Sequence, residues 1–125
     1  KGGLIWTGDS HCRQGNGEVN LTGLECSFKE IVLQPIVRKD MKLDWPRMET
    51  KTHWITMGFD DDLNKAMVNA TREAVNFLAD QKMVPLTRYE AYSLVSMVGD
   101  CRVTQVVDVR KGVHCMIPKS VFTKK

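Results

Sequence analysis

A carboxylate and an imidazole stand close together near the start of this chain, in a stretch rich in glycine. The stretch reads Gly8-Asp9-Ser10-His11-Cys12-Arg13-Gln14-Gly15-Asn16-Gly17-Glu18. Glycine lets the backbone turn sharply and lets a ligand approach the main chain closely. On an extended backbone, residues two apart face the same side, so Asp9 and His11 can converge on one ion. Because carboxylate and imidazole groups are ligands that suit zinc, Asp9 and His11 are candidate metal ligands, although so short a pattern often arises by chance.

The stretch resembles the G-D-x-H-x-x-Q-G-x-G-E signature of the acetamidase/formamidase family. Further agreement comes from His53–Asp60, Arg102–Asp108 and Lys111–Lys119, which follow in the family's order. The resemblance extends over nearly the whole chain. It implies that residues 1–125 form a single domain similar to the C-terminal part of a family member. Family members are considerably longer, so we expect the portion that precedes the glycine-rich motif to be missing here.

The resemblance implies hydrolysis of short aliphatic amides, with release of ammonia and a carboxylate. A divalent metal, which we expect to be zinc, would bind at Asp9 and His11, lower the pKa of a bound water and polarise the substrate carbonyl. Glu18 is the expected proton shuttle between that water and the leaving nitrogen, although it has the alternative role of a metal ligand.

The amide itself would be held by the remainder of the motif. Gln14 offers both a donor and an acceptor to the substrate amide, and we expect it to be catalytic with Glu18. Gly15 and Gly17 are expected at the substrate-binding position, where their backbone N–H groups would meet the developing oxyanion.

Each of these residues also has a structural interpretation. Asp9 can close a turn, Gln14 can be a solvated loop side chain and Glu18 an ordinary charge at a strand edge. Catalytic zinc sites commonly have three protein ligands, whereas the loop offers two and an uncertain third. The alternative function is therefore a non-catalytic β-rich assembly or fragment subunit that retains the signature. Its partner would be a second copy in a homo-oligomer or a complementary N-terminal chain.

Composition excludes several classes of partner. The chain has 125 residues with 18 basic and 15 acidic side chains, a net charge of +3 that is too mild to indicate nucleic acid binding. No apolar run approaches the roughly 20 residues that span a bilayer, so no membrane interaction is expected. The four cysteines form no C-x-x-C pair. We interpret them as free thiols in a reducing compartment, which predicts a cytoplasmic protein. A catalytic pairing of Cys12 with a histidine is a minor alternative.

The elements predict an α+β fold, a mainly antiparallel β-sheet or barrel-like half with a two-helix insertion packed on it. Expected strands are Leu4–Thr7, Glu18–Leu24, Ser27–Val37, Thr52–Met57, Arg102–Asp108 and Val113–Ile117. The first helix should begin at Asp60 as its N-cap, followed by an apolar stripe. That stripe is Leu63, Ala66, Met67, Ala70, Ala74, Phe77 and Leu78. The second should begin with a capping box at Thr87 and Glu90 and end before Gly99.

Three further polar residues have no assigned role at this stage. His53 and Asp108 belong to the motifs of the resemblance, which does not say what they do. His114 lies in an apolar strand, where a buried, hydrogen-bonded histidine is the expected state.

Overall fold

The fold is α+β and mostly sheet, with two helices packed on antiparallel strands. The computed structural model describes residues 3–5, 7–80 and 85–122. The elements in chain order are β1 (His11–Arg13), β2 (Leu24–Glu25), β3 (Arg47–Glu49), β4 (His53–Asp60), α1 (Leu63–Asp80), α2 (Arg88–Val98), β5 (Asp100–Gln105) and β6 (Lys111–Pro118), followed by a 3-10 turn (Lys119–Val121). Neither α1 nor α2 has the length and apolar character needed to cross a membrane.

Four strands form the main sheet, in the order β3-β4-β6-β5, with every neighbouring pair antiparallel. The helix α1 packs against β4 and β6, and α2 packs against α1. The buried apolar core lies between sheet and helices and consists of Ala66, Ala70, Ala74, Leu78, Ala91, Val95, Val113, Cys115 and Ile117. This arrangement confirms the predicted fold class, although the described strands form an open sheet and not a closed barrel.

The helix α1 approaches β4 most closely at a glycine. A Cβ atom on Gly58 would lie 2.2 Å from the backbone nitrogen of Ala70 and 2.6 Å from the carbonyl oxygen of Ala66. One pleat away on the same face of β4, the buried Thr56 hydroxyl donates a hydrogen bond to the Ala70 carbonyl oxygen at 3.1 Å. Small residues on both elements therefore set the distance between helix and sheet. Of the predicted apolar stripe, Ala66, Ala70, Ala74 and Leu78 are buried, whereas Leu63 and Met67 are exposed.

The helix boundaries follow their capping residues. At the start of α1, the backbone N–H of Lys65 donates to the Asp62 carboxylate at 3.0 Å, so Asp62 is the cap. The expectation that Asp60 would cap this helix is wrong, because Asp60 ends β4 and is paired with Lys111. The capping box of α2 at Thr87 and Glu90 is confirmed, with both reciprocal hydrogen bonds present.

Three expected strands near the start of the chain do not form. Leu4, Ile5 and Thr7 are exposed and outside any strand, while Trp6 lies outside the described residues. Of the expected strand Glu18–Leu24 only its last residue is in a strand, and Ser27–Val37 has no regular structure. The polar–apolar alternation was misleading because a strand also needs a neighbouring strand and a core to face. No described residue before Thr56 is buried.

The four cysteines form two disulfides, Cys12–Cys26 and Cys101–Cys115. The expectation of free thiols is therefore wrong, and with Cys12 bonded the minor alternative of a Cys12 nucleophile loses its thiolate. Spacing in the sequence did not reveal these pairs because each joins neighbouring antiparallel segments, Cys101 to Cys115 between β5 and β6, and Cys12 on β1 to Cys26 directly after β2. A cytoplasmic location was inferred from free thiols, so it loses that support and stays a prediction.

Candidate metal and substrate site

Three metal-ligating side chains meet at the β1–β2 pair. One ligand atom from each of Asp9, His11 and Glu25 lies within 4.8 Å of the other two. The Nε2 atom of His11 is 3.8 Å from the Asp9 carboxylate. Asp9 and Glu25 are exposed and His11 is half-buried, so the cluster opens to solvent. The structure thus brings together the two predicted metal ligands and adds a third residue that the sequence reasoning missed.

Pairing of β1 with β2 places the third residue. The register sets His11 opposite Glu25, and the disulfide joins Cys12 to Cys26, the next residue on each side. A backbone bond from the Cys26 N–H to the Ser10 carbonyl oxygen (3.1 Å) and a side-chain bond from the Ser10 hydroxyl to the Cys26 carbonyl oxygen (2.8 Å) extend the contact.

The local backbone also shapes the cluster. Asp9 has a φ of 51°, in the left-handed region that aspartate tolerates better than most residues. Gly23 lies beneath the imidazole of His11, because a Cβ atom there would be 2.3 Å from the ring carbon Cδ2. Because Gly23 has no side chain, the imidazole of His11 can lie against the backbone just before β2.

The donor set of this cluster fits a zinc ion. Two carboxylates and one imidazole are three protein ligands, the number that leaves one position of a tetrahedral catalytic zinc for water. Ligand atoms bound at the usual ~2.1 Å lie about 3.4 Å apart in a tetrahedron. The observed 3.8 Å between Asp9 and His11 is close to that value. The exposed carboxylate of Glu25 has a ligand atom within 4.8 Å of those of Asp9 and His11 and is the third member of the set.

The remaining motif residues line a separate small cavity. Its lining includes Gln14, Gly15 and Glu18, and its volume is about 100 Å³. At roughly 30 Å³ per molecule in the liquid, that volume corresponds to about three waters. A ligand of only a few non-hydrogen atoms therefore fits it. Gly17 is not among the lining residues, so of the two expected substrate-binding glycines only Gly15 faces this cavity.

The second half of the motif is attached to the main sheet. The Gly17 N–H donates to the Thr104 carbonyl oxygen, and the Val107 N–H donates to the Glu18 carbonyl oxygen, both at 3.2 Å. Gly17 has a φ of 99°, and Glu18 has a φ of 34°, which is costly for a glutamate. Glu18 lies outside the cluster of Asp9, His11 and Glu25. Glu18 therefore lies in the small cavity and apart from the cluster of candidate metal ligands.

The other polar residues of the motifs have local partners. His114 is half-buried and its Nδ1 lies 2.7 Å from the Thr104 hydroxyl, as expected for a hydrogen-bonded histidine within a strand. Burial lowers the pKa of His114, and the nearby charge of Arg102 lowers it further. Arg102 itself pairs with Asp100. His53 contacts the Thr52 hydroxyl at 2.9 Å.

Solved structures that are similar to this chain include three acetamidase or acetamidase/formamidase structures. An acetamidase from Bacillus halodurans is 32% identical with a TM-score of 0.57, over 62% of this chain and 25% of that one. An acetamidase from Yersinia enterocolitica is 28% identical with a TM-score of 0.63, over 69% of this chain and 26% of that one. A protein described as a predicted acetamidase/formamidase from Thermoanaerobacter tengcongensis is 26% identical with a TM-score of 0.53, over 66% and 27%. No protein-family profile and no curated protein sequence matches the chain.

The fold is thus an α+β unit in which a short, disulfide-linked strand pair carries the candidate ligands. The resemblance to acetamidase/formamidase structures is confirmed over about two thirds of the chain. The chain spans only about a quarter of the length of those structures.

Proposed function

We propose that this chain carries the metal and substrate site of a hydrolase for short aliphatic amides. The observation that carries the proposal is the meeting of Asp9, His11 and Glu25 at the β1–β2 pair. Similarity to structures named acetamidase supports amides as the substrate class. The small volume of the cavity beside Gln14 and Glu18 favours a short amide of the formamide or acetamide type.

In the proposed reaction, an amide and water give a carboxylate and ammonia. Asp9, His11 and Glu25 would hold a zinc ion, which would supply a water of lowered pKa and polarise the substrate carbonyl oxygen. Glu18 would accept a proton from the attacking water and deliver it to the leaving nitrogen. Gln14 orients the amide by donating to its carbonyl oxygen and accepting from its N–H group. The backbone N–H of Gly15 would donate to the oxygen that becomes negative, whereas that of Gly17 already donates to the Thr104 carbonyl oxygen.

The positive φ of Glu18 supports its role in this proposal. Asp9 and Glu18 are the two non-glycine residues of the described chain with a positive φ. Backbone strain of this kind costs of order 1–3 kcal/mol and is found mostly at functional sites. Since both residues had already been singled out by their chemistry, the strain favours a functional over a merely structural interpretation.

The test is ammonia release from formamide and acetamide by the full chain, together with metal analysis. We expect Asp9→Ala and His11→Ala to lose both bound zinc and hydrolysis. Glu30→Gln is a matched control, because Glu30 is an exposed carboxylate outside the cluster and the cavity. Zinc binding without hydrolysis of any short amide would contradict the enzymatic proposal and favour a structural metal.

One observation favours the alternative, an assembly subunit. The segment between β2 and β3 exposes many apolar side chains, namely Phe28, Ile31, Val32, Leu33, Ile36, Val37, Met41 and Leu43. Concentrated apolar exposure of this kind marks an interaction surface. We propose that this segment packs against a second copy or a complementary chain that corresponds to the remaining part of the acetamidase structures. Light scattering and intact mass measured on the purified chain would distinguish a homo-oligomer from a complex with another polypeptide. A monomer at working concentrations would contradict both.

A further inference from the structure

The Cys12–Cys26 disulfide crosslinks the strand pair that carries the candidate metal ligands. Each cysteine directly follows a proposed ligand, since His11 precedes Cys12 and Glu25 precedes Cys26. His11 and Glu25 are opposite in register, and because the strands run antiparallel, Cys12 and Cys26 lie on opposite sides of that pair. The disulfide therefore links the two segments diagonally across the His11–Glu25 pair. The covalent link therefore fixes the position of Glu25 relative to His11.

Little else holds these two strands together. The strand β1 has three residues and β2 has two, whereas isolated two-stranded ribbons are marginal even when longer. None of the described residues 7–46 is buried, so no core supports the pair. Besides the ladder itself, the bonds between Ser10 and Cys26 are the remaining direct links at this end.

The attachment to the main sheet does not replace the crosslink. Hydrogen bonds tie Gly17 and Glu18 to Thr104 and Val107, on the His11 side of the turn that leads to β2. Glu25 lies beyond that turn. Without the disulfide, Asp9 and His11 would stay two residues apart in sequence, while the position of Glu25 would depend on the two short strands and the Ser10–Cys26 hydrogen bonds.

We propose that Cys12 and Cys26 are positioning residues for the metal site, so that reduction of their disulfide weakens metal binding. This inference rests on the proposed function. Reduction by a dithiol transfers two electrons and two protons, breaks the Sγ–Sγ bond and leaves two thiols, while the dithiol becomes a disulfide. Reduction then releases Glu25 from its fixed position opposite His11. The metal site keeps Asp9 and His11 but loses Glu25 as its third protein ligand in much of the population.

The test measures zinc affinity by calorimetry on the full chain, oxidised and after reduction with a phosphine, which does not compete for zinc as dithiols do. In this reduction the phosphine is converted to its oxide with oxygen from water, and the protein again gains two electrons and two protons. We expect affinity to fall by about 10- to 100-fold on reduction, the range found when residues that orient metal ligands are lost. The variant C12S/C26S should bind as weakly as the reduced protein and should not respond to the phosphine.

The second disulfide provides a matched control. Cys101–Cys115 has the same sequence separation of 14 residues, but it joins β5 to β6 in the main sheet. Removing it in C101S/C115S should lower stability, because Cys115 is fully buried, yet zinc affinity of the folded protein should be retained. A parallel loss of affinity in both double variants would show a general effect of stability and overturn the proposal.

Hydrogen exchange of backbone amides reports on the pairing of β1 with β2 without any metal being present. In the oxidised protein the Cys26 amide, which donates to the Ser10 carbonyl oxygen, should be protected from hydrogen exchange, and reduction should remove that protection. Equal protection in both states, or equal zinc affinity in both, overturns the positioning role and leaves the proposed function standing. Absence of zinc binding by the oxidised wild-type chain would instead contradict the proposed metal site, and this inference with it.

Discussion

Glu25 lies directly opposite His11 across the β1–β2 pair, although the whole glycine-rich loop separates the two in sequence. This relationship turns the two-ligand hook of Asp9 and His11 into a cluster of three. It also separates the roles of metal ligand and proton shuttle, which the sequence analysis gave as alternatives for Glu18. Glu25 is at the proposed metal, and Glu18 lines the small cavity with Gln14.

This division of roles predicts different defects for two conservative variants. Glu25→Gln should lower zinc affinity by at least about tenfold, because it removes a charged ligand from an already exposed site. Glu18→Gln should retain zinc affinity and lower amide hydrolysis by about 10²–10⁴-fold, the usual contribution of general acid–base catalysis. Calorimetry with zinc and an ammonia-release assay measure the two quantities separately. Loss of zinc in Glu18→Gln with normal binding in Glu25→Gln would reverse the assignment.

There is a physical reason why the sequence does not identify Glu25 as a metal ligand. Asp9 and His11 are two residues apart, so the geometry of a single extended segment already places them on one side. The approach of Glu25 depends on which segments pair and in what register, and β1 and β2 are too short to show the alternation that reveals a strand. A signal did exist. A disulfide between Cys12 and Cys26 would have brought the segments that carry His11 and Glu25 together, although it does not give their register, but we interpret the cysteines as free thiols from the sequence.

The main sheet and helices were predictable because several local signals agree there. The stripe at Ala66, Ala70 and Ala74 has helical spacing and is fully buried. The capping box at Thr87 formed as expected. The segment Ser27–Val37 also alternates polar and apolar residues, yet among the described residues it has neither a neighbouring strand nor a buried core to face. Periodicity thus predicts which side chains are able to be buried, and tertiary pairing decides whether they are.

Close packing at Gly58 predicts a large loss of stability on a minimal substitution. Gly58→Ala forces a methyl group onto the backbone of α1, with only 2.2 Å to the Ala70 nitrogen. Because a backbone cannot rotate away as a side chain can, we expect a loss of about 1–3 kcal/mol or more in the free energy of unfolding. Urea denaturation followed by tryptophan fluorescence measures this loss. Gly8→Ala is the control, since nothing lies within 4 Å of a Cβ atom there and its stability should be nearly unchanged. Equal stability of the two variants would contradict the close approach of helix and strand.

A buried ion pair joins the edge strand β3 to α1. The Arg47 guanidinium donates to the Glu73 carboxylate at 3.0 Å and lies over the ring of Phe77, and Glu73 is only 6% exposed. The Nε atom of Arg47 is buried without a hydrogen-bond partner, so this guanidinium is already incompletely satisfied. Removing its carboxylate should therefore be costly, because the charge would remain in a largely buried position.

We accordingly expect Glu73→Ala to lower the free energy of unfolding by about 3–5 kcal/mol, the range for breaking a buried pair. Glu49→Ala is the matched control. Its carboxylate pairs with Lys119 but is two-thirds exposed, so the loss should stay below about 1 kcal/mol. Both values come from denaturant unfolding of the two variants and the wild type. Similar losses would mean that the Arg47–Glu73 pair is as solvated as the surface pair.

His114 predicts a dependence of stability on pH with a definite sign. Burial lowers the pKa of its imidazole, the positive charge of Arg102 lowers it further, and Asp100 acts in the opposite direction. The folded protein therefore favours the neutral ring, and its Nδ1 meets the Thr104 hydroxyl at 2.7 Å. The unfolded chain, with a histidine pKa of about 6.5, takes up protons at a higher pH than the folded one. The contribution of His114 to stability is thus complete above that value and is lost as the pH falls through it.

Replacing the titrating ring with an amide isolates this contribution. We expect the free energy of unfolding of the wild type to fall more steeply between pH 8 and pH 5 than that of His114→Asn, whose side chain retains a polar group near the Thr104 hydroxyl but has no proton to gain. The difference at pH 8 gives the cost of the substitution itself. Any further change in that difference at lower pH reports the titration, since the other ionisable groups are common to both proteins. Parallel curves would mean that His114 titrates alike in the folded and unfolded chains, and a wild-type advantage that grows towards pH 5 would reverse the sign derived from its burial.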